Sequence, residues 1–206
     1  MPTLRESATA ALLARARQGD RSAIGELLGR HRERLLQMVA VRMDERLAPR
    51  IDPSDVVQEA MTDASRRLPE YLQTQPVPFY AWLRQIAWDR LIDLHRRHIC
   101  ADKRSVRREE PLGISDTSAM QLAERILASG LSPLTRLVRE ELHAQVRKCL
   151  ARLAADDREI LILRHLEQLS SAETAAVLEI GEEAAIQRHV RALRRLRRLL
   201  EGAARE

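Results

Sequence analysis

Three features of the chain predict an all-α fold in two small helical domains. Apolar residues recur at spacings of three and four along most of its 206 residues, which is the period of an amphipathic helix. Ala, Leu, Arg and Glu dominate the composition, and all four have high helix propensity or fit helices well. Aromatics make up only 2%, too few to fill the strands of a sandwich or barrel.

The elements follow in order. Helices are expected over roughly Ser7–Gln18, Arg21–Glu45, Asp52–Arg67 and Phe79–Ile99 in a first block. A second block holds Ser132–Leu153, Asp156–Leu166, Ser170–Leu178 and Glu182–Glu201. The expected division is 1–100, a linker at 101–131, and 132–206. The linker mixes both charge signs with turn formers: Arg104-Ser-Val-Arg-Arg-Glu-Glu-Pro111, Gly113, Ser115-Asp-Thr-Ser118 and Gly130. One weak helix is expected within it, around Met120–Ala128.

Composition bounds the function. Hydrophobic residues at 45% and charged residues at 32% supply enough apolar surface for packed cores. No apolar run is long enough for a transmembrane helix, and the start Met1-Pro-Thr-Leu-Arg-Glu lacks a secretory layout. No membrane partner is expected, and a cytoplasmic location is. Cys100 and Cys149 are too few for a disulfide framework or a zinc ribbon. The net charge of +5 permits a polyanionic partner.

In the second block, Ser170-Ser-Ala-Glu173 has the spacing of a capping box, and Asp156-Asp-Arg-Glu159 offers the same opportunity one helix earlier. A short helix, the break Glu179-Ile-Gly181 and a long basic helix then form the layout of a helix-turn-helix. At about 100° per residue, Ile186, Val190, Leu193, Leu196 and Leu200 share one arc. Arg188, Arg191, Arg194, Arg195 and Arg198 share roughly the opposite arc, while Arg197 lands on the apolar side. No acidic residue occurs from Ala184 to Leu200. The first turns, with Glu182, Glu183, Ala184 and Gln187, are expected to enter the major groove. Gln187 and Arg188 have the chemistry to read base edges, and the later arginines to hold phosphate. The competing reading is a solvated basic face on a packing helix. Glu182 and Glu183 suit either the positive helix end or acceptance from a cytosine amine.

In the first block all five aromatics lie between Tyr71 and Trp88, beside Arg84, Arg90 and His95-Arg-Arg-His98. Aromatics next to arginines suit unstacked bases. The spacing of Phe79, Leu83, Ile86 and Leu94 equally suits a core, and Trp82 is read as structural. Asp52, Asp55, Glu59 and Asp63 fall on one ridge of the preceding helix, while Val56, Ala60, Ala64 and Leu68 form another that faces the core. Asp52 and Asp55 also favour a helix start, and Asp63 has Arg66 and Arg67 within pairing distance in sequence. An acidic ridge on a basic chain points to a protein partner.

These segments resemble bacterial extracytoplasmic-function (ECF) sigma factors of the sigma-70 family, two-domain initiation subunits of RNA polymerase. D-P-S-D-V-V-Q-E from Asp52 and F-Y-A-W-L-R-Q-I-A-W-D-R-L-I-D-L-H-R-R from Phe79 resemble region two. D-R-E-I-L-I-L-R-H-L-E-Q-L-S from Asp157 and R-A-L-R-R-L from Arg191 resemble region four. The last form is similar to one abundant in planctomycetes. The resemblance covers nearly the whole chain.

The resemblance implies the following roles. Asp52, Asp55, Val57, Gln58 and Glu59 dock on the polymerase β′ coiled coil, and the β flap is a further polymerase contact. The loop Tyr71–Pro78, with Leu72, Gln73 and Thr74, holds a base flipped from the minus-ten element. Arg84, Asp89, Asp93, Arg96 and Arg97 face the melted strand and adjacent duplex. Glu182, Glu183, Ala184, Gln187, Arg188, Arg191, Arg194 and Arg195 read and hold the minus-thirty-five element. An anti-sigma factor is a possible partner of such proteins, and no cofactor is implied.

Five positions depart from the family pattern. Asp89 replaces an asparagine, Thr174 replaces an aliphatic residue, and Pro76 and Pro78 stiffen the loop. Glu179 stands at the usual turn glycine with Gly181 two positions later, so a shifted turn is expected. One alternative is a helix-turn-helix regulator that never joins polymerase. Another is an enzyme with a metal at His95-x-x-His98-x-Cys100, where no fourth ligand is evident. No phosphate-binding glycine loop, nucleophile elbow or HExxH motif occurs. A non-catalytic chain without metal is the expectation.

Overall fold

The computed structural model describes residues 4–44, 46–47, 49–100, 118, 120–122, 124–125 and 136–203. Every regular element among them is helical. The chain forms two compact units that divide between Pro111 and Leu112.

The first unit contains α1 (Leu4–Arg17), α2 (Arg21–Arg42), α3 (Pro53–Thr74) and α4 (Phe79–His95), the last prolonged by a wide π-type turn, Arg96–Cys100. Gly19 takes a left-handed φ of 86°, which ends α1 and lets Asp20 begin α2. The Asp20 carboxylate accepts from the Ser22 and Ala23 amides, two of the donors that a helix start leaves unpaired. The Ser22 hydroxyl, Arg15 and the Ala23 amide hold its pKa at about 2. Asp52 caps α3 in the same way through the Ser54 amide, with Pro53 following as a favoured first helical residue.

The helix expected to end near Arg67 runs on to Thr74. Pro69 lies inside it on the exposed side. The hydrogen bond lost there belongs to the carbonyl of Ser65, an exposed residue, and Leu68 and Tyr71 continue the buried stripe. α2 ends earlier than expected, at Arg42, where Met43 turns extended. Leu27, Leu35 and Met38 of α2, Val57, Ala60 and Leu68 of α3, and Leu83, Ala87 and Leu91 of α4 are fully buried between the helices.

The second unit contains α5 (Arg136–Arg152), α6 (Ala155–Leu161) with a π-type turn at Ile162–Leu166, α7 (Ser171–Val177) and α8 (Glu182–Ala203). The capping box at Ser170 is present with both bonds: Glu173 N–H donates to the Ser170 hydroxyl, and Ser170 N–H donates to the Glu173 carboxylate. The box expected at Asp156–Glu159 is absent. Ala154 precedes α6 with no side-chain cap, and Arg158 instead reaches back to the carbonyls of Leu150, Ala151 and Leu153 at the end of α5.

The core of this unit includes Val146, Leu150, Ile160, Leu163, Leu166, Ala192 and Leu196. The described residues 118, 120–122 and 124–125 are helical, where a weak helix was expected. Leu122 is fully buried, and Arg125 donates to the carbonyls of His165 and Leu166. The charged linker run from Arg104 to Pro111, Gly113, Gly130 and Ser132 lie outside the described residues.

Candidate polymerase and nucleic-acid interfaces

α3 exposes Asp52, Asp55, Gln58 and Glu59, while Val57 is fully buried. Val57 therefore sits on the core side and fixes the helix, and its side chain is not part of the exposed face. Asp63, the fourth member of the acidic ridge, also turns inward. It is 8% exposed and accepts from both Nε and Nη2 of Arg90 across the α3–α4 seam, with Arg66 a further 3.6 Å partner. The Arg90 hydrogen bonds hold its carboxyl below the usual range. Arg66 was legible from helical spacing, but the pairing across 27 residues was not. A groove beside this face is lined by Gly29 and Arg32 of α2 and by Gln58, Met61 and Thr62 of α3.

The aromatic cluster is mostly core. Tyr71, Phe79 and Tyr80 are buried. Trp82 is half-buried, stacks on Tyr71 at 4.6 Å and meets Phe79 at 5.5 Å, as its structural reading required. Burial pushes the Tyr71 hydroxyl up to about 12, and that hydroxyl donates to the Val77 carbonyl at 2.9 Å. Two guanidinium groups lie over the Trp88 ring, Arg84 at 5.3 Å and Arg42 at 5.5 Å.

Among the residues singled out for single-strand contact, Arg84 is 3% exposed, so its side chain belongs to the interior beside Trp88. Asp89, Asp93, Arg96 and Arg97 are exposed, and the Gln85 amide donates to Asp89 at 2.8 Å. Leu72, Gln73 and Thr74 occupy the last turn of α3 rather than a loop. The connection is only 75–78, with Gln75 left-handed at φ 39°. Arg17 donates to the Leu72 carbonyl at 3.0 Å, an anchor that no local sequence pattern announced.

In the second unit, α7 and α8 are joined by a left-handed residue, as in many helix ends. That residue is Glu179, at φ 52°, and the Ile180 amide returns to the Ala175 carbonyl. The turn is therefore not shifted to Gly181. Thr174 is fully buried, and its hydroxyl donates to the Ser170 carbonyl at 2.7 Å, which satisfies the polar atom an aliphatic residue would lack.

α8 exposes Glu182, Glu183, Ala184, Gln187, Arg191, Arg194, Arg195, Arg197 and Arg198. Its packed stripe is Ala185, Ala192 and Leu196. Ile186, placed on the apolar arc by angle alone, is 39% exposed. Gln187 donates to Glu183 at 2.9 Å. Arg188 is half-buried, 3.8 Å from Asp156, and Arg195 is bonded to Asp157. Arg194 and Arg198 have no ion pair among the described residues.

Comparison with known proteins follows the same division. Residues 28–98 match Sigma-70 region 2, and residues 143–196 match Sigma-70, region 4. The chain is 30% identical over 173 residues to the ECF RNA polymerase sigma-E factor of Escherichia coli K12, covering 82% of this chain and 81% of that protein.

The chain belongs to the ECF sigma factors.

This sigma factor is also 29% identical over 198 residues to the RNA polymerase sigma factor CnrH of Cupriavidus metallidurans, covering 96% of each. The structure of CnrH in complex with the cytosolic domain of CnrY covers 95% of this chain and 98% of that one, with a TM-score of 0.52 and 27% identity. The region 2 match sets aside a regulator built on a helix-turn-helix alone. An ECF sigma factor works with RNA polymerase and promoter DNA in transcription initiation. Among the described residues, no helix of this sigma factor is long and apolar enough to cross a membrane. No three His, Cys, Asp or Glu side chains gather there as metal ligands.

Proposed function

We propose that this ECF sigma factor joins core polymerase through the exposed face of α3. Asp52, Asp55, Gln58 and Glu59 meet the β′ coiled coil, with Val57 holding the helix from behind. The second unit meets the β flap. Residues 1–100 act as region two and 132–206 as region four, joined through 101–131.

Leu72, Gln73 and Thr74 border the pocket for a flipped minus-ten base. Asp89, Asp93, Arg96 and Arg97 face the opened strand, and Arg84 supports them from within. Glu182, Glu183, Ala184, Gln187 and Arg188 read the minus-thirty-five duplex, while Arg191 and Arg194 hold phosphate. Arg195 contributes to the fold first and to DNA second, because Asp157 already engages it. Unstacking of the duplex costs a few kcal/mol per step, offset by these contacts, and the chain performs no catalysis of its own.

One observation carries this reading: a single chain exposes an acid-and-amide face on α3 and a basic face on α8. The complex of CnrH with CnrY supports an anti-sigma protein as a further partner. The expected location is the cytoplasm, where polymerase works. The R-A-L-R-R-L run of α8 supports a planctomycete-like variant.

Run-off transcription with core polymerase on a random promoter library tests the whole. Starts at a shared promoter sequence that depend on the added chain are expected. Their absence, together with failure to capture core polymerase, overturns it.

A further inference from the structure

Two imidazoles face one another in the second unit. His165 lies in the π-type turn after α6, and His189 on the second turn of α8, directly after Arg188. Their Nε2 atoms are 3.0 Å apart, with ring centroids at 5.2 Å and planes inclined by 43°. Such a contact requires one ring to donate and the other to accept. Neutral imidazole has one of each, and imidazolium has only donors. The bond therefore exists only while at least one ring is neutral.

The surroundings keep both neutral. Burial, then His165 and Arg164, lower His189 from 6.5 to about 4. Burial, then Arg164 and Arg125, lower His165. Among the carboxylates of the packed elements, Asp156 pairs with Arg188, Asp157 pairs with Arg195, and Glu173 accepts from the Ser170 amide, while Glu167, two residues after His165, is fully buried. On α8 itself, Arg191 donates to the Gln187 carbonyl. The turn is pinned from its other side by Arg125, whose Nη1 donates to the carbonyls of His165 at 2.9 Å and Leu166 at 3.1 Å. An arginine from 118–125, the turn, and the helix proposed to read DNA are thus linked in series.

We propose that His165 is a positioning residue for duplex reading, acting through His189: the imidazole–imidazole bond seats α8 so that Gln187 and Arg188 meet base edges, and protonation of the pair releases it. The proposal rests on the assignment of α8 to the minus-thirty-five element. The second proton breaks the bond, and an imidazole that titrates at 6.5 when released and at about 4 when paired favours release roughly twentyfold more at about pH 5 than at neutral pH. Acid therefore weakens duplex binding beyond any general effect on DNA contacts.

The test uses the full chain in two arms. Nitrogen-detected NMR follows both imidazoles from about pH 7.5 to about pH 5. Fluorescence anisotropy follows binding of a duplex selected from a random library by the reconstituted holoenzyme. Both imidazoles are expected to titrate below the ordinary histidine range, with wild-type binding falling about threefold or more as they gain protons.

His165→Gln offers His189 an amide that can donate or accept, so it should bind as wild type at neutral pH and lose the acid sensitivity. His165→Ala should bind about tenfold more weakly at neutral pH. Titration of both rings near 6.5, or the same acid profile in wild type and His165→Gln on a preferred sequence, overturns the pair alone. Selection of no preferred sequence overturns the reading of α8 with it. Because the glutamine variant preserves volume and bonding, its profile decides even where the alanine variant fails to fold.

Discussion

Arg195 of α8 donates through Nη1 to Oδ2 of Asp157 in the first turn of α6. The aspartate side chain is 7% exposed and the arginine 51%. A carboxylate that far out of water needs its partner, whereas the half-exposed arginine needs it less. The pair therefore ties α8 to α6 before any DNA is present. Asp157→Asn should destabilise the second unit by about 1–2 kcal/mol, after allowance for the exposed partner. Urea unfolding of the full chain, followed by helical circular dichroism, reads the change. An unchanged midpoint would remove the structural role assigned to the pair.

The same pair sorts the arginines of α8. Arg194→Ala should reduce the slope of log affinity against log salt by about one, as loss of a phosphate contact does. Arg195→Ala should lower the unfolding midpoint and change that slope less. Equal slope changes with no loss of stability would mean that DNA, not Asp157, is the arginine's main partner.

Glu179 holds a left-handed conformation at φ 52°, which costs a side-chain-bearing residue roughly 1–2 kcal/mol. Glu179→Gly should stabilise the second unit by about 0.5–1 kcal/mol, the strain relieved less the extra freedom of the unfolded chain. Gly181 has no positive φ and open space where a Cβ would stand, so Gly181→Ala should be tolerated. Thermal unfolding of both variants distinguishes this turn from one centred on Gly181, which predicts the opposite order.

The contrast between Glu179 and Gly181 shows where sequence reasoning succeeds and where it stops. The helices, the Ser170 capping box and the basic face of α8 follow from spacing along one helix, and spacing is printed in the sequence. The exposed face of α3 was legible for the same reason. What periodicity could not reach is set by contacts distant in sequence. Asp63 leaves the acidic ridge because Arg90 lies across the seam, and Arg84 turns inward beside Trp88. Ile186 is exposed because the packed stripe of α8 runs through small alanines, Ala185 and Ala192, which hydrophobicity underweights. The expected end of α3 at Arg67 falls short of Pro69, whose backbone cost is local, while the burial of Leu68 and Tyr71 that offsets it is tertiary.

Arg188 is held half-buried beside Asp156, with Gln187 bonded to Glu183 one turn earlier. A guanidinium steadied in this way loses less freedom on meeting a guanine edge. Arg188→Ala should cost about 1–3 kcal/mol on the preferred promoter and relax specificity at one position. Competition binding against duplexes varied at each position measures both. A uniform loss across all sequences would reassign Arg188 to phosphate.

Glu59 and Asp63 lie one helical turn apart on α3 yet face different surroundings. Glu59 is exposed, so reversing its charge leaves the core intact, and Glu59→Lys should change stability by no more than about 0.5 kcal/mol. If its face meets core polymerase, the same change should weaken capture of the polymerase and run-off transcription together. Asp63→Asn should do the reverse, lowering the unfolding midpoint through the loss of its bonds to Arg90, while polymerase captured per folded molecule stays near wild type. Measuring both variants side by side separates a partner face from a packing seam. Normal transcription by Glu59→Lys at wild-type stability would show that the exposed side of α3 is not where polymerase is held.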